Sequence, residues 1–106
     1  MMIKTIRFLW DYYCYPIWAY DEKHHYVDES EVEELKDHPE LHLKFLNLQR
    51  RYDNLFLNTP TCFSYVGFKT EEDKREFLRD VQEAVDEFIS LANGKYEIIN
   101  DFDNEL

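Results

Sequence analysis

A chain of 106 residues and 13.0 kDa is long enough for one hydrophobic core and too short for two, and its 44% hydrophobic and 17% aromatic content excludes a disordered acidic tail. A formal charge of −11 excludes a polyanion partner, because nucleic-acid binding needs a basic stripe to displace counterions, and it disfavours an anionic membrane surface. The same charge favours a cationic protein partner, with simple solubility as the plainer reading.

The charge is unevenly placed. Between Tyr20 and Glu40 nine acids face Lys23 and Lys36, and from Glu71 onward twelve acids face Lys74, Arg75, Arg79 and Lys95, whereas the remaining segments are net positive. Two cysteines, Cys14 and Cys62, are too few for the disulfide framework of a small secreted domain. Lys4 and Arg7 precede an apolar run that Asp11 and several tyrosines interrupt, with no small-residue cleavage site after it. No stretch approaches the ~18 apolar residues of a membrane span. The cytoplasm is the expected compartment, and one domain over residues 1–106 the expected organisation.

Taken in order, Ile3 to Trp10 reads as a strand with apolar residues on both faces, hence central or covered on both sides. Residues 8–20 hold seven aromatic side chains, including both tryptophans. At about 150–250 Å² of burial each, most are expected in the core, with one edge available as a binding surface. Cys14 reads as a small core residue. Pro16 fits poorly inside a ladder, so a turn or bulge is expected between Asp11 and Pro16, with a shorter strand from Ile17 to Tyr20. Asp21 to Glu29 reads as a loop or a ragged strand extension through Tyr26 and Val27.

Ser30-Glu31-Val32-Glu33 matches a capping box, which predicts a short helix from Glu31 to about Lys36. Pro39 suits a first helical turn, and Leu41, Phe45, Leu48, Tyr52 and Leu55 recur at helical spacing, predicting a helix to about Leu57 that Asn58-Thr59-Pro60-Thr61 ends. Cys62 to Phe68 reads equally as a strand or a packed loop. Thr70 followed by Glu71, Glu72 and Asp73 marks a second helix start, and Asn93-Gly94 its left-handed stop. Lys95 to Phe102 begins as an alternating strand, and residues 103–106 are expected to fray. The order predicts an α+β domain: a small antiparallel or mixed sheet with two long helices packed on one face.

Chemistry-bearing patterns are sparse. His24, His25 and Asp28, and separately His38 and His42, have metal-ligand composition, but His38 precedes Pro39 and no third ligand accompanies the pair, so solvated histidines are expected and no metal. Cys62 lies in none of the local signatures of catalytic cysteines. Two glycines cannot furnish a phosphate-cradling loop, and the carboxylates are too dispersed for an acid–base dyad, so neither cofactor nor enzymatic activity is expected.

The segment Arg7-Phe8-Leu9-Trp10-Asp11-Tyr12-Tyr13-Cys14-Tyr15-Pro16-Ile17-Trp18 carries a W-D-Y followed by P-I-W. It resembles the opening of small bacterial immunity proteins of polymorphic toxin systems, including those of contact-dependent growth inhibition. In them an acidic loop, a helix, a second helix and a final strand follow in the same order. The resemblance implies a cytoplasmic antidote that binds one cognate C-terminal toxin domain; a monomer or weak dimer is expected. Such a toxin is commonly a nuclease, for example a tRNase, and is blocked at its active site or at its access to substrate. No partner-binding residue carries over by motif. From the residues themselves, the candidate contact surface is the acidic loop and cap: Tyr20, Asp21, Glu22, Tyr26, Asp28, Glu29, Glu31 and Glu34. The acids exposed on the Thr70 to Asn93 helix are the alternative surface, and an acidic binding adaptor or assembly subunit is the alternative function.

Overall fold

Ile3–Phe8 (β1) is the inner strand on which the domain is assembled. The computed structural model describes residues 2–102; the tail expected to fray, 103–106, lies outside them. β1 pairs antiparallel with Ile17–Asp21 (β2), which pairs with the two-residue strand Tyr26–Val27 (β3). After a 3-10 turn at Glu29–Glu31 come the helices Glu33–Asp37 (α1) and Pro39–Asp53 (α2), the strands Phe56–Thr59 (β4) and Cys62–Tyr65 (β5), the helix Glu71–Ala92 (α3), and the strand Glu97–Asn100 (β6). β6 joins β1 in parallel on its other side, so the main sheet is mixed, in the order β3-β2-β1-β6; β4 and β5 form a separate antiparallel hairpin.

Period-two alternation sorts the sheet's two faces. Ile6, Phe8, Ile17, Ala19 and Val27 are buried on one, with Ile98 partly buried beside them. Both long helices cover this face: Leu41, Phe45, Leu48 and Tyr52 of α2 and Phe77, Val81, Ala84, Val85 and Phe88 of α3 point inward, as helical spacing required. Phe8 is the meeting point. Its ring lies 6.2 Å from Phe45, 5.7 Å edge-on from Phe88 and 5.4 Å from Phe102. Trp10, just past the strand, stacks between Tyr52 at 5.0 Å and Phe102 at 4.2 Å.

The other face carries Thr5, which is buried between Tyr20 and Glu97, and Arg7, Trp18, Tyr20, Tyr26, Glu97 and Ile99, all half-buried or exposed. β1 is therefore central but covered on one side only. Its second apolar row had suggested a cover; the neighbouring Trp18 and Tyr20 supply what shelter that row has. The aromatic run splits the same way. Only Phe8 and Trp10 of its seven rings are buried, Tyr12, Tyr15, Trp18 and Tyr20 are intermediate, and Tyr13, at a positive φ of 57°, is exposed. Cys14 is half-buried rather than core, and both cysteines are free.

Local signals placed several ends correctly. The Asp11–Pro16 turn closes with Cys14 N–H donating to Asp11 O and Leu9 N–H to Pro16 O, both at 3.1 Å. Thr70 Oγ1 accepts from Asp73 N–H at 3.0 Å, and Asn93 ends α3 in the left-handed region at φ 50°. Two expectations fail. Ser30 does not cap a helix: Asp28 Oδ1 accepts from Ser30 N–H at 2.9 Å to start the 3-10 turn, and the α-helix begins only at Glu33, after the fully buried Val32 has taken an extended conformation to reach the core. Likewise α2 stops at Asp53 instead of running to Leu57, because residues 56–59 form a ladder with 62–65 around a turn at Pro60-Thr61.

Candidate partner-binding surface

The uncovered sheet face and the loop that follows it form one continuous feature. Cross-strand pairing sets Tyr20 opposite Tyr26, with ring centroids 6.4 Å apart, and Trp18 lies 6.1 Å from Tyr26. Trp18 is held in place by its indole N–H, which donates to Leu9 O at 3.2 Å. Beside it on β1, Arg7 donates through Nε to Asp101 Oδ2 at 2.6 Å, so the one cation in this row has its charge compensated within the protein.

The acidic side chains sit around these rings in defined ways. Asp21 Oδ1 accepts from the backbone N–H groups of His25 and Lys23, and the first of these bonds holds its carboxyl below the usual aspartate range. This bonding fixes the β2–β3 turn, in which His24 takes a φ of 63°. Glu22 is exposed at the turn. The Ser30 backbone N–H likewise lowers Asp28. Glu29 accepts from the Tyr26 hydroxyl at 3.3 Å, and burial together with the Glu29 and Asp28 carboxylates raises the Tyr26 phenol. Each of these carboxylates keeps lone pairs free for an incoming donor. Together Cys14, Tyr15, Trp18, Tyr26, Asp28 and Glu29 line an open recess of ≈ 410 Å³. The Tyr15 ring stacks on His42, with Tyr15 Oη 2.9 Å from His42 Nδ1, which fixes the wall of the recess to α2.

The eight expected residues are thus only partly brought together. Tyr20, Asp21, Glu22, Tyr26, Asp28 and Glu29 share the feature. Glu31 borders a different recess, with Met2, Ile3, Glu33, Lys95 and Tyr96. Glu34 is buried, accepting from Tyr96 Oη at 2.6 Å and lying 2.9 Å from Lys95 Nζ, so it ties α1 to the segment before β6. Trp18 and Tyr15, which the sequence reading did not name as contact residues, line the same recess as Tyr26, Asp28 and Glu29. The signal for Trp18 was available: with Ile17 and Ala19 committed to the core, alternation sends Trp18 and Tyr20 to the opposite face.

Glu34 supports a prediction. Burial acts to raise its carboxyl, but hydrogen bonds from Tyr96 and Lys95 outweigh that and leave it below the ordinary glutamate value of 4.5. Burial and Glu34 push Tyr96 up to about 12. A group lowered on folding contributes stability that is complete above its unfolded pKa and is lost as pH falls through the folded one. Glu34→Gln is therefore expected to cost about 1.5–3 kcal/mol at neutral pH, the range for hydrogen bonds to a charged group. The gap between variant and wild type should close on acidification below the unfolded value. Thermal melts across pH would show this, and a gap that persists in acid would contradict it.

The acids on α3 are differently engaged. Glu87 accepts from Lys44 Nζ and Asp80 from Arg51 Nη1, both at 2.8 Å, so two of them are compensated by α2. Among the described residues no group of three His, Cys, Asp or Glu side chains is arranged to hold a metal ion, and no helix is long and apolar enough to cross a membrane.

Comparison with known protein families matches residues 4–100 to the family described as Serratia CdiI immunity protein-like. No curated protein matches the chain.

Proposed function

The chain belongs to the Serratia CdiI immunity protein-like family, and from that premise we propose that it neutralises a basic cognate toxin domain, a nuclease, by seating the toxin on the Trp18–Tyr20–Tyr26 face. An immunity protein works by binding a toxin; the finer reading rests on the chemistry of the recess. Aromatic faces at Trp18 and Tyr26 with carboxylates at Asp28 and Glu29 suit one kind of group, a lysine or arginine side chain. The ring faces attract the cation while the carboxylates accept its hydrogen bonds. Toxins that grip RNA or DNA carry such side chains where their substrate's phosphates lie. An acidic domain that occupies them blocks the active site or the approach to it, and an antidote acting this way needs no chemistry of its own.

The acidic loop supplies long-range attraction as well, since complementary fields speed association more than they deepen final affinity. The test is charge reversal by Asp28→Lys with Glu29→Lys, and Glu31→Lys added as a third change that probes the neighbouring recess separately. The double variant's association with the cognate toxin fragment should slow at least ~tenfold at low salt, with the difference shrinking as salt screens the field. An unchanged association rate would remove this surface from the reading. Loss of growth rescue on co-expression with the toxin fragment is the cellular counterpart.

A further inference from the structure

The β4–β5 hairpin is chemically unlike the rest of the molecule. Residues 54–68 contain no ionisable Asp, Glu, Lys, Arg or His, in a chain with 23 acids and 12 lysines and arginines. Within that stretch Leu57, Phe63, Tyr65 and Val66 are each about half exposed. The register puts Phe56, Asn58, Phe63 and Tyr65 on one face of the hairpin. There Phe63 stacks on Phe56 at 5.3 Å, and Tyr12 lies 4.8 Å from Phe63. Leu57, Thr59, Cys62 and Ser64 are on the other face. Among the described residues neither strand pairs with the main sheet, so both carry an unpaired edge. The usual protections of such an edge, an inward charge, a lysine or a proline within the strand, are missing: Pro60 sits in the turn.

We infer that this hairpin is the surface through which two copies of the chain associate. The charge distribution selects the occupant. Two molecules of net charge −11 repel wherever their acidic surfaces meet, and the approach that brings the uncharged stretches together meets the least repulsion. A basic toxin gains nothing electrostatic here and has the acidic loop to attract it elsewhere. A two-fold pairing through the Phe63 and Tyr65 face would set those two rings of each copy against the same face of the other. At about 150–250 Å² for an aromatic side chain, half exposed, the two rings amount to roughly 150–250 Å² per copy. That is below the ~800 Å² per partner of a standard stable interface, so the dimer is a weak one.

Sedimentation of the full chain from about 5 to 500 µM is expected to show a monomer–dimer equilibrium. Adding salt should tighten it by screening the mutual repulsion, the opposite of its effect on toxin association. Phe63→Glu should weaken dimerisation at least ~tenfold and leave toxin association rates unchanged. Because Phe63 also packs on Tyr12 and Phe56, Tyr65→Lys on the same face serves as the second variant, with thermal melting to confirm folding. A chain that stays monomeric throughout at high salt overturns the inference, as does a dimer indifferent to both substitutions. If the wild type is monomeric and the variants lose toxin instead, the hairpin is a toxin contact and the inference is likewise overturned. The Asp28→Lys, Glu29→Lys variant reports on the proposed toxin surface independently.

Discussion

Replacing Phe8 with alanine is expected to cost about 3–5 kcal/mol, the range for a buried phenylalanine whose neighbours cannot fully collapse into the space. Phe8 is completely buried, and its neighbours come from three separate elements: Phe45 on α2, Phe88 on α3 and Phe102 after β6. A side chain anchored by three elements leaves a cavity that no single one can fill by moving. Domains of this size have about 5–15 kcal/mol in hand, so the variant would approach the unfolding threshold and melt roughly 15–30 °C lower. Denaturant unfolding with an unchanged slope would attribute the loss to the folded state. A loss under ~1 kcal/mol would mean that the aromatic centre repacks, and that Phe8 is not where the layers are joined. Ile99, on the uncovered face and 38% exposed, is the control: Ile99→Ala should stay near wild type.

Truncating both tyrosines of the uncovered face, Tyr20→Ala with Tyr26→Ala, is expected to weaken toxin binding by roughly 700-fold, each ring contributing about 2 kcal/mol as a hot-spot aromatic. Its kinetic signature separates this prediction from the charge reversals. Losing packed rings should shorten the lifetime of the complex and leave the association rate and its salt dependence largely intact, whereas losing acids should do the reverse. Tyr20 and Tyr26 pair across β2 and β3, so a thermal melt must accompany the affinity measurement. Charge reversal at the exposed Glu83 and Asp86 of α3 is the matched control. Binding that ignores the tyrosines but falls with the α3 reversals would move the docking surface to that helix.

What the sequence determined by itself are the features whose cause is local. Thr70 with three acids behind it, the apolar stripe from Phe77 to Ala92 and Asn93-Gly94 delimit α3 because caps, periodicity and a left-handed stop act within a few residues. The α+β class, the turn before Pro16 and the acidic loop were legible for the same reason. The end of α2 was not. Leu55 and Leu57 continue a helical pattern as readily as they begin a strand, and only pairing with Cys62–Tyr65 and the rings of Tyr12, Phe56 and Phe63 settles the choice. The split of the aromatic run between core and surface, and the turning of Glu34 inward to Tyr96 and Lys95 sixty-odd positions away, were decided the same way. Such choices belong to tertiary structure because their energy resides in contacts between distant segments, which exist only once the sheet and helices have closed on each other.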